Sequence, residues 1–157
     1  MDCVVTRATF HEKGVIKALL QPYLAELSRF PGENRDGVIE TGEYPYPYLD
    51  AYWQEESRFP YLLSAGGQLA GFALVRKEGD HWEMAEFYIL PGLRHRGLGM
   101  ACAIEIFRRH PGEWKIRYNK QNHASRQLWK KLARHLAKGE VEAGEADTSH
   151  DYIGLSV

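Results

Sequence analysis

Residues 81–109 constrain this chain more than any other stretch. His81 to Leu90 reads as a strand, and Pro91 and Gly92 stop it. Met100, Ala103, Ile104 and Phe107 then recur at i, i+3, i+4 and i+7, the spacing of an amphipathic helix. Between strand and helix stands Arg94-His95-Arg96-Gly97-Leu98-Gly99. A helix that starts from such a turn leaves its first N–H groups without partners and aims its positive dipole end into the turn. Glycine lets the main chain approach phosphate oxygens, and Arg94 and Arg96 add charge-assisted hydrogen bonds. The stretch reads as an anion cradle on an α/β framework.

The remaining pattern fills in that framework. Residues 4–9 form an opening strand. Ile16, Leu19, Leu20, Tyr23, Leu24 and Leu27 mark a helix that Pro22 is expected to kink or divide and that Phe30-Pro31-Gly32 ends. A polar loop leads to the aromatic segment 44–53, where Pro45 and Pro47 oppose regular structure and a short helix begins near Tyr48. Residues 59–65 and 68–76 pair as a hairpin through Gly66-Gly67, and residues 81–90 add a third strand. Trp114, Ile116 and Tyr118 alternate with polar residues as a half-buried strand. A helix over 122–137 turns Leu128, Trp129, Leu132 and Leu136 inward, and residues 139–157 form a last hairpin through Asp147-Thr148-Ser149. The order is strand, two helices, three strands, helix, strand, helix, two strands: a mixed α/β fold in one domain, residues 1–157.

Composition excludes several classes. With 157 residues and 44% hydrophobic content the chain can bury a core, and no apolar run reaches the roughly 18 residues of a membrane span. The N-terminus lacks the basic-then-apolar layout of a signal peptide. Cys3 and Cys102 follow no ligand spacing, so neither a disulfide nor a zinc site is expected, Cys102 reads as a small buried hydrophobe, and a reducing, cytoplasmic location follows. The seven histidines form no metal set, and no metal is expected. The net charge of −1 hides an asymmetry: residues 94–135 carry eleven basic and two acidic side chains, net +9. That excess calls for a polyanionic partner, a phosphorylated cofactor or nucleic acid.

Rival phosphate motifs fail on the same residues. A Walker loop needs Gly-Lys-Ser/Thr where Gly99-Met100-Ala101 stands. A dinucleotide fingerprint needs a third small residue and a carboxylate after the next strand, where this chain has Cys102 and Tyr118-Asn119-Lys120. The run from Ile89 to Ala101 instead resembles the first signature of the GNAT superfamily of acyl-CoA-dependent N-acetyltransferases, Arg/Gln-x-x-Gly-x-Gly/Ala. Residues 122–129, Asn-His-Ala-Ser-Arg-Gln-Leu-Trp, approximate its second, Asn-x-x-Ala-x-x-Leu/Phe-Tyr. The element order matches along the whole chain.

The resemblance implies a central, mostly antiparallel mixed sheet of about six or seven strands with about four helices, binding acetyl-CoA. Gly97, Leu98, Gly99, Met100 and Ala101 would hold the pyrophosphate, with Arg94, His95 and Arg96 beside it. Main-chain groups of Tyr88, Ile89 and Leu90 would pair with the pantetheine arm. Asn122, Ser125 and Trp129 would contact the arm from the last helix, and Arg126 or Lys130 would reach the nucleotide phosphates. This accounts for the basic segment better than nucleic acid does. In the family an amine attacks the thioester directly, and an amine with a pKa near 10.4 needs a base at neutral pH. Glu86 is the candidate, and Glu83, of opposite strand parity, is the weaker one. Trp129 stands where many members carry a tyrosine acid, and an indole N–H is no practical proton source. Tyr88, Tyr118 and Tyr152 are the alternatives, Tyr88 the one carried forward. Tyr44, Tyr48 and Trp53, with Glu40, Glu43, Asp50, Glu55 and Glu56 around them, would wall the acceptor side and suit a cationic amine. The alternative activity is a non-catalytic acyl-CoA-binding module. Both monomer and homodimer are compatible with this reading.

Overall fold

The computed structural model describes residues 2–33 and 37–157, so part of the polar loop expected after Gly32 lies outside the described residues. Seven strands form one sheet in the order β1-β2-β3-β4-β5-β7-β6, with β1 Cys3–Arg7, β2 Arg58–Ala65, β3 Gln68–Glu78, β4 His81–Ile89, β5 Glu113–Asn119, β6 Glu142–Glu145 and β7 His150–Ser156. Every neighbouring pair is antiparallel except β4 and β5. The helices are α1 Lys13–Leu27, α2 Ala51–Gln54, α3 Leu98–Arg109 and α4 His123–Leu136. No helix among the described residues is long and apolar enough to cross a membrane.

Helices cover both faces of the sheet, which is why β3 reads as an unbroken apolar run rather than an alternation. On one face α3 and α4 pack Leu98, Ile106, Phe107, Trp129 and Leu132 against Val5, Leu63, Val75, Trp114 and Ile116. Phe107 stacks on Trp114 at 3.8 Å between ring centres. On the other face α1 and α2 set Ile16, Leu20, Leu24 and Tyr52 against Leu62, Phe72, Leu74 and Tyr88.

Three expectations need correction. Cys3 and Cys102 are joined in a disulfide, their Cα atoms 5.3 Å apart. β1 lies along α3 in space although 99 residues separate the two cysteines, so spacing in sequence says nothing about their contact. The pairing removes the argument for a reducing compartment that rested on unpaired cysteines. α1 runs undivided through Pro22, which sits exposed where its ring meets solvent. α2 starts at Ala51, not near Tyr48, because Tyr46 to Asp50 are used in successive turns.

Candidate active site

β4 and β5 pair only at Trp82↔Trp114 and Glu83↔Lys115. The register on the other side of β4 shows why they part. Val75 opposes Met84 while Leu74 opposes Glu86, so Ala85 is an extra residue, a bulge that bends the strand. Beyond it, β4 and β5 run on without pairing and leave a gap in the sheet. Leu90 donates its N–H to Ala70 on the β3 side, and the Tyr88 carbonyl lies so close to β3 that a Cβ on Gly71 would meet it at 1.8 Å. Main-chain groups alternate along a strand, so Phe87 and Ile89 turn theirs into the gap. Of the residues expected to pair with a pantetheine arm, Ile89 faces the gap, while Tyr88 and Leu90 face β3. The Ile89 carbonyl accepts a hydrogen bond from Arg94 Nε at 2.8 Å.

At the open end of the gap, Pro91–Leu93 makes a 3-10 turn that leads into α3. His95 and Gly97 both take left-handed φ, 65° and 78°, which turns the main chain sharply on either side of Arg96. No side chain caps α3, and nothing lies within 4 Å of where a Gly97 Cβ would stand. α4 differs, since its cap Asn122 accepts the Ser125 N–H at 3.1 Å. The first turn of α3 (Leu98, Gly99, Met100) therefore offers uncapped donors and the positive helix end to open space, which fits a pyrophosphate. Ala101 already bonds back to Gly97. His95 and Arg96 are exposed beside the turn. Arg94 is engaged elsewhere: its Nη1 and Nη2 donate to Glu26 of α1 at 2.8 and 2.9 Å, and its guanidinium lies over the Tyr88 ring.

On α4, Arg126 and Lys130 share a shallow surface cleft of about 500 Å³ with His123, Gln127, Lys131 and Arg134. Trp129 is turned to the opposite side, 5% exposed, with its ring centre 5.3 Å from Phe87 and 6.2 Å from Phe107. It fills the core beneath the gap.

Glu86 follows the bulge, at the point where the sheet opens. Its Oε1 accepts the Tyr23 hydroxyl at 2.9 Å and its Oε2 the Tyr46 hydroxyl at 2.8 Å. Burial pushes its carboxyl up from the ordinary range to about 7, against the lowering effect of the two phenols. Both phenols are themselves pushed up by burial and by the Glu86 charge, so they stay protonated donors. Near pH 7 such a carboxyl exchanges a proton readily, as a base for an ammonium must. The bulge also cancels the parity argument against Glu83. Arg76 opposes Glu83 and Leu74 opposes Glu86, and those two β3 residues share a face, so both carboxylates do too. Glu83 is instead held by Arg76 Nε at 2.7 Å and faces His81.

The other expected site residues take structural places. Trp53 donates its indole N–H to Ala8 at 3.0 Å, and Tyr44 packs on the α1 face. Tyr48 is 60% exposed, with Arg58 over its ring. The acidic surround is a solvated rim in which Asp50 pairs with Lys13 and Glu55 with Arg58. Tyr88 is buried against Tyr23 and Phe72, its phenol pushed up by burial. Tyr118 is buried in the α3–α4 core, and Tyr152 donates to Glu142 on the C-terminal hairpin. Tyr23, Tyr46 and Glu26 were not expected. In sequence Tyr23 reads as one more apolar helix position, and Tyr46 is hidden between prolines.

The split sheet thus has an uncapped glycine-led helix at its mouth and a half-buried carboxyl at its apex. The chain belongs to the acetyltransferase (GNAT) family, whose model it matches over residues 28–133. Among solved structures, it is similar over 100% of its length, and 98% of the other's, to an acetyltransferase from Thermus thermophilus, at 14% identity and TM-score 0.69. It is similar to the PaiA N-acetyltransferase from Thermoplasma acidophilum, in complex with coenzyme A, at 12% identity and TM-score 0.64 over 100% of both chains. The ribosomal-protein-S18-alanine N-acetyltransferase from Escherichia coli matches at 14% identity and TM-score 0.61, over 99% of this chain and 92% of the other. No curated protein matches by sequence.

Proposed function

We propose that this chain transfers an acetyl or other small acyl group from acyl-CoA to a primary amine, with Glu86 as general base. The observation that carries the reading is the carboxyl of Glu86, held by two phenols at the apex of the gap between β4 and β5. Coenzyme A would lie along that gap, its pyrophosphate on the start of α3 with Arg96 beside it and its nucleotide end near Arg126 and Lys130. When bound it supplies the acyl thioester. The protein's own residues do the rest. Phe87 and Ile89 offer main-chain groups to orient the arm, Trp129 and Phe87 keep water from the floor of the gap, and Glu86 takes the proton of the incoming ammonium at Oε1 or Oε2. Tyr23 and Tyr46 hold that carboxyl in one orientation and donate to the charge it carries before the transfer.

The test is CoA release from acetyl-CoA across a panel of primary amines, compared between the wild type and Glu86→Gln. The proposal expects turnover with at least one amine and a loss of about 10²-fold or more in the variant. Tight CoA binding with no turnover across the panel would favour the non-catalytic acyl-CoA-binding reading.

A further inference from the structure

Tyr46 reaches Glu86 from a proline-flanked segment with few main-chain donors of its own. Pro45 and Pro47 have no N–H, so neither can donate to a sheet or a turn on either side of Tyr46, whose carbonyl accepts the Leu49 N–H at 3.3 Å. Its C-terminal side is anchored by Leu49 and Tyr52, 6% and 1% exposed. Its N-terminal side is held by packing of Tyr44 against the α1 face, by a 3.5 Å contact between the Tyr44 hydroxyl and Ser28 Oγ, and by one side chain of α1 that bonds the main chain there. The amide of Gln21 donates from Nε2 to the Tyr44 carbonyl at 3.0 Å and accepts the Tyr44 N–H on Oε1 at 2.7 Å. A primary amide paired this way imitates a neighbouring strand and fixes the direction of the chain at Tyr44. Two residues on, that direction brings the Tyr46 hydroxyl to Glu86 Oε2. Two positions along α1, Tyr23 reaches the other carboxylate oxygen directly.

We propose that Gln21 is a positioning residue, the latch that keeps the segment from Tyr44 to Leu49 closed over Glu86. The inference rests on the reading of Glu86 as the base, but the latch has a physical signature of its own. The groups that face or act on Glu86 are Tyr23 from α1, Tyr46 from the segment, Tyr52 from α2, Arg76 from β3 and Glu33 after α1. The segment affects the carboxyl in two opposed ways. It excludes water, which favours the neutral acid, and it supplies one phenol donor, which favours the carboxylate. For the carboxyl as a whole, burial by all its surroundings is the largest influence.

Two substitutions separate these effects. Tyr46→Phe keeps the cover and removes the donor, so the titration midpoint of Glu86 rises. Gln21→Ala releases the cover and admits water, so the midpoint falls toward the ordinary glutamate range. Each displacement is expected to be about one pH unit, the effect of one charged hydrogen bond or of partial rehydration. Gln21→Met keeps the volume, removes both bonds to Tyr44 and repeats the fall, and circular dichroism verifies that each variant folds. The readout is NMR titration of 13C-labelled glutamate carboxyls, with the Glu86 signal assigned by its loss in Glu86→Gln.

Opposite displacements in Tyr46→Phe and in both Gln21 variants support the latch. No displacement in folded Gln21 variants, or a rise parallel to Tyr46→Phe, overturns it. The titration reads Glu86 whether or not it is the base. Failure of the functional reading appears separately, as a kcat–pH midpoint that does not follow the Glu86 titration.

Discussion

Reduction of the bond between Cys3 and Cys102 removes a tie that closes almost two thirds of the chain. The two residues stand 99 positions apart, and one belongs to an edge strand while the other is wholly buried on α3. For a closed loop of about 100 residues, the chain-entropy model gives about 4.7 kcal/mol of stabilisation at 25 °C. For a chain of this length 1 kcal/mol moves Tm by roughly 2 to 4 °C, so the reduced protein should melt roughly 10 to 20 °C lower. Thermal unfolding followed by circular dichroism, with and without a phosphine reductant, measures this directly. Cys3→Ala, which opens the same loop, should melt like the reduced wild type and show no further response to reductant. Equal melting temperatures for oxidised and reduced wild type would show that the bond contributes no such stabilisation. So would two thiols free to react with a maleimide in unreduced, denatured protein.

Two further outcomes follow from the Glu86 site. Tyr23→Phe removes one of the two donors while leaving the ring buried, so the pH–kcat midpoint should move up by about one pH unit, the effect of a single charged hydrogen bond. A midpoint unchanged from the wild type would count against the bond. Glu86 binds its proton more tightly in the folded chain, at about 7, than when unfolded, so its cost to stability is absent at low pH, grows as pH rises above the ordinary glutamate range and is complete above 7. Glu86→Gln should therefore be more stable than wild type at pH 8 by about 1 to 3 kcal/mol and show no such gain at pH 4, as measured by urea unfolding at both.

Much of the fold is legible from periodicity. The alternation of Trp114, Ile116 and Tyr118 and the Gly66-Gly67 turn both appear where the pattern puts them, because local spacing alone decides such features. The face of α3 is less so. The pattern names Met100, Ala103, Ile104 and Phe107, whereas Leu98, Cys102, Ala103, Ile106 and Phe107 are the buried set. The tie from Cys102 to Cys3 helps to fix which side faces the sheet, and it depends on a contact 99 residues away. The site divides the same way. Gly97 carries its left-handed φ within a motif, so the cradle can be read locally. The partners of Glu86 come from α1 and from a proline-flanked segment, and no spacing rule links positions 23, 46 and 86. The same holds for Arg94, whose pairing with Glu26 crosses 68 positions. Parity failed at Glu83 because one extra residue, Ala85, resets the alternation.

The proposed base is a carboxyl poised near neutrality at the apex of the split sheet, which would remove the acceptor's proton. The most direct test is kcat against pH from 5.5 to 9 under saturating acetyl-CoA and an accepted amine, for wild type and Glu86→Gln. The wild-type rate should rise with pH and bend near 7, where Glu86 loses its proton. The variant should be slower by about 10²-fold or more and lack the bend. A Glu86→Gln enzyme that keeps the wild-type rate and the same bend would contradict that role for Glu86.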